Sequence, residues 1–194
     1  MIMIVLMSLN LSVSNHRNGA EKMQQQNVSS EIEGDIAGEN ITQFLTFILN
    51  TEVYGINILN IREIIDYGNI TRVPMMPGFV AGVINLRGSV VPVVDLALRF
   101  SEKSSERTKR SSIVILEVEY EEQKLEVGIT VDVVNEVLDI PLSEIEPAPS
   151  FGTKIRTDFI SGMGKVNDQL LVLLDIENIL SVAELSAGGE ASLV

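Results

Sequence analysis

Two aspartates stand in matching places in this chain. Asp95 ends the apolar run Val90-Val-Pro-Val-Val94, and Asp175 ends the run Leu170-Leu-Val-Leu-Leu174. Two carboxylates offered by two similar β lobes could share a proton at close range, the chemistry of an aspartyl hydrolase. That chemistry expects Ser or Thr and then Gly after each aspartate. Here the followers are Leu96-Ala97 and Ile176-Glu177, which suit the first turn of a helix. An aspartate directly before a helical turn accepts a hydrogen bond from the turn's free N–H groups, so both read as N-caps.

Other candidates are weaker. Gly162-Met-Gly-Lys165 lacks the Ser or Thr after the lysine and the glycine spacing of a phosphate loop. His16 is the only histidine and there is no cysteine, so neither a thiolate metal site nor a histidine triad can be built. No cofactor is expected. Asn27-Val-Ser and Asn69-Ile-Thr fit the glycosylation triplet, without a secretion signal beside them. Arg87 is more informative, because it is a long cation at a hairpin turn in a chain of net charge −13. Its partner lies either inside the fold or outside it. Glu63 is the obvious internal candidate, although its counterpart Glu136 also exists in copy two, and the Glu63 and Arg87 side chains are expected within salt-bridge reach. That acidic balance also argues against nucleic acid, whose phosphates would be repelled.

The elements that position these residues repeat. Gly82-Val-Ile-Asn-Leu-Arg-Gly-Ser-Val-Val-Pro-Val-Val-Asp95 reads as two β-branched runs joined by Arg-Gly-Ser, a hairpin in which Gly88 takes positive φ. Gly162 to Asp175 repeats it at the same spacing, with Asn167-Asp168 as the turn. Pro92 lies inside a strand without an N–H, so that side of the strand is expected to be an edge or a bulge. Upstream, Tyr54-Gly-Ile-Asn-Ile resembles Val127-Gly-Ile-Thr-Val, and Glu63 and Glu136 follow their glycines at equal distance. Each copy alone would expose an apolar face that the other can cover.

In chain order, Met1–Val13 is apolar but too short to cross a bilayer, and no basic residue opens it as a secretory leader. Met1–Lys22 is read as an extension, and residues 1–40 as a tail. Strands are expected at Gln43–Leu49 and Val53–Ile56, with a helical turn running into a strand over Ile58–Ile65. Ser101–Ser111 is a polar loop between the copies. Ser112–Tyr120, Lys124–Val131 and Val133–Ile140 are three more strands, followed by a capped turn and a stiff loop over Pro141–Pro149. Copy one covers about 41–100 and copy two about 112–181, with a frayed tail at 182–194. The chain is long enough, and at 45% hydrophobic apolar enough, for a substantial core.

Phe44-Leu-Thr-Phe, Tyr54-Gly-Ile-Asn-Ile-Leu-Asn-Ile-Arg-Glu-Ile, Gly82-Val-Ile-Asn-Leu-Arg-Gly, Val91-Pro-Val-Val-Asp-Leu and Pro147-Ala-Pro-Ser-Phe resemble the CheW-type chemotaxis coupling proteins over roughly Ile41–Ser181. The resemblance implies a mainly β fold of two pseudo-repeated, intertwined five-stranded SH3-like barrels with short connecting helices. It implies no catalysis. The expected role is a cytoplasmic scaffold, recruited to membrane-associated arrays, that joins chemoreceptor tips to the histidine kinase CheA. A receptor helix is expected in a groove between the barrels. Ile61, Glu63, Arg87 and Val137 match receptor-coupling positions, and Phe151 matches a contact to the kinase regulatory domain. Glu146 departs from a basic residue found there in some members. An added receiver domain, as in CheV-like couplers, does not fit in this length. An aspartyl hydrolase on Asp95 and Asp175 and a generic β-barrel ligand-binding module are the alternatives.

Overall fold

The computed structural model describes residues 40–100, 103–149, 152–166, 169–181 and 184. The first hairpin pairs β1 (Ile41–Leu49) with β2 (Glu52–Asn57) across Asn50-Thr51, both at positive φ. A 3-10 turn at Ile58–Asn60 then leads into β3 (Ile61–Asp66), and the Asn57 side chain caps it by accepting from Leu59 N–H. This is the expected helical turn running into a strand.

The central hairpin is β4 (Val80–Leu86) and β5 (Ser89–Asp95), followed by α1 (Leu96–Arg99). The strands β6 (Ser112–Tyr120), β7 (Gln123–Val131) and β8 (Val133–Pro141) fall within a residue or so of the expected spans. After a two-residue β9 (Ile145–Glu146), the second hairpin is β10 (Ile160–Val166) and β11 (Gln169–Leu174), followed by α2 (Ile176–Ile179). The expected capped turn after β8 is a 3-10 turn at Leu142–Glu144 without a side-chain cap, because its cap position is Pro141.

The strands form a six-stranded sheet, β8-β1-β2-β11-β10-β9, and a five-stranded sheet, β3-β6-β7-β5-β4. The fold is mainly β, as expected, and the six-stranded sheet exceeds five by the short β9. The two halves of the sequence interleave. β5 pairs in parallel with β7 at Val93↔Gly128, while β11 pairs in parallel with β2 at Leu173↔Gly55. Each repeated hairpin therefore lies against the glycine-bearing arm of the other copy. The glycines allow close approach: a Cβ on Gly55 would lie 3.0 Å from Leu173 Cδ2, and one on Gly128 would lie 3.2 Å from Val93 Cγ2.

Pro92 sits as its chemistry requires. It lies opposite Val83 of β4, and the pairing of β5 with β7 begins only at the next residue. The missing N–H therefore falls on an open stretch of strand edge.

The main core draws Leu45, Phe47, Tyr54 and Ile56 from the six-stranded sheet and Val94, Val114, Leu116 and Ile129 from the five-stranded one. Smaller clusters lie within each sheet, around Val93, Ile113 and Ile115 in one and Phe44, Ile140 and Leu173 in the other. Phe47, Tyr54, Phe100 and Phe159 make a chain of ring contacts through the shared core. Burial of this aliphatic and aromatic area is the main stabilising term, and it requires both sheets together.

Candidate functional site

The β4–β5 turn is built locally. Arg87 and Gly88 have φ of 52° and 93°, the two positive values that a two-residue hairpin of matching twist needs. Gly88 N–H donates to Asn85 Oδ1 at 2.9 Å and braces the turn from its first strand. Sequence reasoning marked Gly88 for this conformation but not Arg87, a residue in which it is uncommon. The turn leaves the Arg87 side chain 80% exposed, while its Nη2 donates to Glu63 Oε2 at 2.9 Å. The expected salt bridge is present.

Glu63 follows a bulge in β3, where the register with β6 shifts between Ile61 and Glu63. Ile61 itself lies opposite Leu116 and is half-buried against the main core. Val137 belongs to the other sheet, on β8 opposite Leu45, and is half-buried against the same core. β3 and β8 are both terminal strands of their sheets. Ile61, Glu63 and Arg87 thus share one sheet, and Val137 occupies an edge of the other. Glu136 makes no ion pair among the described residues, and its main chain instead exchanges hydrogen bonds with Thr46 Oγ1.

Phe151 lies outside the described residues. Its neighbours Pro149 and Gly152 help line an apolar hollow of about 240 Å³ with Tyr54, Ile155, Met163 and Val172. Glu146 is exposed on β9, opposite Met163.

The two aspartates cap as expected. Asp95 Oδ1 accepts from Leu98 N–H at 3.1 Å, and Asp175 Oδ1 accepts from Asn178 N–H at 3.0 Å. Their second oxygens differ. Asp175 Oδ2 takes the Asn178 side-chain amide, whereas Asp95 Oδ2 takes the hydroxyl of Ser104. Leu98 stands where copy two has Asn178, so the buried Asp95 is left an oxygen for the loop between the copies. No hydrogen bond joins the two carboxylates, and the proton-sharing arrangement of a hydrolase is not formed.

Sequence reasoning missed that loop's role. Ser105 Oγ donates to Asn50 Oδ1, Asn50 Nδ2 donates to Lys103 O, and Asn50 N–H donates to Asp132 Oδ2. Arg107 stacks over Tyr67 at 4.6 Å. Burial pushes the Tyr67 hydroxyl above its ordinary range, Asp95 adds to that, and Arg107 opposes it. The loop therefore fastens the end of β5 to the β1–β2 turn of the other sheet. Among the described residues there is no cluster of His, Cys, Asp or Glu that could hold a metal, and no helix long and apolar enough to cross a membrane.

The family model for the CheW-like domain matches residues 43–184. The chain is 38% identical over 152 residues to the chemotaxis protein CheW of Klebsiella aerogenes, covering 78% of this chain and 89% of that protein. It is 35% identical over 139 residues to CheW of Bacillus subtilis, covering 71% and 86%. The crystal structure of the scaffolding protein TtCheW from Thermoanaerobacter tengcongensis superposes with a TM-score of 0.66 at 34% identity, covering 74% of this chain and 90% of that one.

Proposed function

The chain belongs to the CheW-like domain family, and from that premise we propose that it is a non-catalytic scaffold coupling transmembrane chemoreceptors to the histidine kinase CheA. It works in the cytoplasm at membrane-associated receptor arrays. The observation that carries this reading is the Arg87–Glu63 pair, an exposed guanidinium held at a fixed hairpin turn by a carboxylate on an edge strand.

The receptor helix lies between the sheets, along the edges that carry Ile61 and Val137. Their half-buried side chains supply apolar contact, and Arg87 meets an acidic or carbonyl group of the helix. Such a helix-in-groove contact gains affinity from buried apolar area, while the charged rim fixes register and partner choice. Phe151 meets the kinase regulatory domain, with its aromatic ring as anchor. Glu146 gives that contact an acidic neighbour.

An exposed ion pair contributes only about 0–1 kcal/mol to folding. A well-placed charged contact across an interface is worth on the order of 2–5 kcal/mol when one partner is truncated. Arg87→Ala is therefore expected to unfold at nearly the wild-type denaturant midpoint and to bind a receptor-tip fragment much more weakly. Normal receptor binding by Arg87→Ala would remove Arg87 from the site. For the second surface, Phe151→Ser is expected to weaken binding of the kinase regulatory domain and to spare receptor binding. A large loss of stability in that variant would instead make Phe151 a core residue.

A further inference from the structure

The five-stranded sheet opens where its two parallel strands part. β5 and β7 pair at Val93↔Gly128, Val94↔Ile129 and Asp95↔Thr130, and the pairing stops there. Continuing the same register toward the strand starts would set Ser89–Pro92 against Lys124–Val127. These two segments instead line a groove of about 680 Å³.

Both segments stay extended, each held only from its far side. β4 holds β5 at Asn85↔Val90, and β6 holds β7 at Glu119↔Lys124 and Glu117↔Glu126. In an antiparallel ladder every second residue turns its N–H and C=O away from its partner. The turns Arg87-Gly88 and Glu121-Glu122 all have positive φ and close two-residue hairpins. Their closing pairs are the hydrogen-bonded ones, so the main-chain groups of Val90, Lys124 and Glu126 face the opening. Val90 is also 71% exposed, an apolar side chain beside unpaired strand edge.

Charge decides what could fill the opening. Glu117, Glu119, Glu121, Glu122 and Glu126 cluster on this hairpin, against Arg62 and Lys124. Arg62 is already paired with Glu117 and lies near Glu126, and Lys124 is bonded to Glu117. Glu119, Glu121 and Glu122 are exposed and have no ion pair among the described residues. A negative rim beside an open strand edge favours a cationic occupant.

We propose that this groove docks an extended peptide segment in which apolar and basic residues alternate. Its main chain adds to the free edges of β5 and β7, the β-augmentation mode. Its apolar side chains turn toward Val90, Leu125 and Val127, which share one face of the sheet, and its basic side chains turn to the opposite face along the glutamates. Neither Arg87 nor Glu63 lines this groove, so it provides for a further partner.

The test uses the full chain and a labelled eight-residue peptide of alternating lysine and valine, with its glutamate–valine counterpart as control. Anisotropy is expected to show saturable binding of the basic peptide alone. Hydrogen exchange of the Val90, Lys124 and Glu126 amides slows on binding. The combined variant Glu119→Gln/Glu121→Gln/Glu122→Gln, with an unchanged denaturant midpoint, is expected to bind roughly tenfold more weakly at low salt. Equal binding of both peptides, binding without protection of those three amides, or binding unmoved by the neutralisation would each overturn the proposal. The exchange measurement needs only the wild-type chain, so it decides the matter even where the variant folds poorly.

Discussion

Arg99 and Ile179, the last residues of α1 and α2, are joined by a hydrogen bond from Arg99 Nε to the Ile179 carbonyl at 2.8 Å. They hold matching places in the two copies. The same guanidinium lies 4.5 Å over the Phe79 ring and 4.9 Å from Phe159, which are also matching residues, and its Nη1 pairs with Glu184. Its side chain is only 7% exposed. Arg99 is thus a cation buried where the two copies meet, held by two aromatic faces, a carbonyl and a carboxylate.

Arg99→Ala is expected to lower stability by about 2–4 kcal/mol, through loss of desolvated cation–π contact and of a charge-assisted hydrogen bond. Arg99→Lys should recover less than half of this, since an ammonium cannot stack between rings and reach the carbonyl together. Urea midpoints of the three proteins check both statements. A lysine variant as stable as wild type would show that charge alone matters here.

The two caps should differ in cost. Asp175→Ala removes the cap of a short surface helix, worth about 1 kcal/mol. Asp95→Ala removes a cap and also the anchor of Ser104, and it leaves that hydroxyl beside a buried gap. The Asp95 variant should be the less stable of the two, with faster amide exchange through residues 103–111. Equal losses would mean that the loop is held by Asn50 and Tyr67 without Asp95.

Gly82 and Gly162 are matching residues with different tolerance. Gly82 has φ of 144°, and a Cβ there would fall 2.2 Å from the Thr71 carbonyl oxygen, inside the bridge between Thr71 and Val83. Gly162 has no such φ, and its nearest obstacle is the Ile145 Cγ2 methyl at 2.8 Å, with the Glu146 carbonyl at 3.0 Å. Gly82→Ala should therefore be far more destabilising than Gly162→Ala, and thermal melts of the pair settle the order.

Glu117 sits between two cations. The hydrogen bond from Lys124 holds its carboxyl below the ordinary glutamate range, Arg62 adds to this, and desolvation opposes it. A depressed folded-state value means that its contribution to stability is present above the unfolded pKa and is lost as pH falls through the folded one. Carboxyl NMR titration should show Glu117 protonating below the ordinary glutamate range. Lys124→Ala should raise the Glu117 midpoint, and an unmoved midpoint would assign the shift to another cause.

Much of this protein was legible from local signals. Alternation over Ser112–Tyr120 marked a strand with Glu117 and Glu119 away from the core, and the structure leaves them outside while Leu116 and Val118 are buried. Arg87-Gly88-Ser89 marked the hairpin, and the structure closes it on Arg87-Gly88 alone, with Leu86 opposite Ser89. Asp95 and Asp175 announced two short helices, since a cap and the N–H it satisfies lie three residues apart. The Glu63–Arg87 pair was reachable as well, once the turn had placed a cation that copy two does not repeat.

Tertiary structure alone decided how the copies combine. The arms around Gly55 and Gly128 are so alike that either could lie beside either hairpin as far as their sequences say. The exchange, with Leu173 on Gly55 and Val93 on Gly128, follows from closing both sheets around one shared core. The same holds for Ser104 on Asp95 and for Arg99 between Phe79 and Phe159, where polar side chains find partners that no sequence interval specifies. Turns, caps and alternation act over a few residues, so the chain encodes them in place. Contacts between distant segments depend on which compact arrangement buries the most apolar surface while leaving the fewest polar groups unpaired, and that is a property of the whole fold.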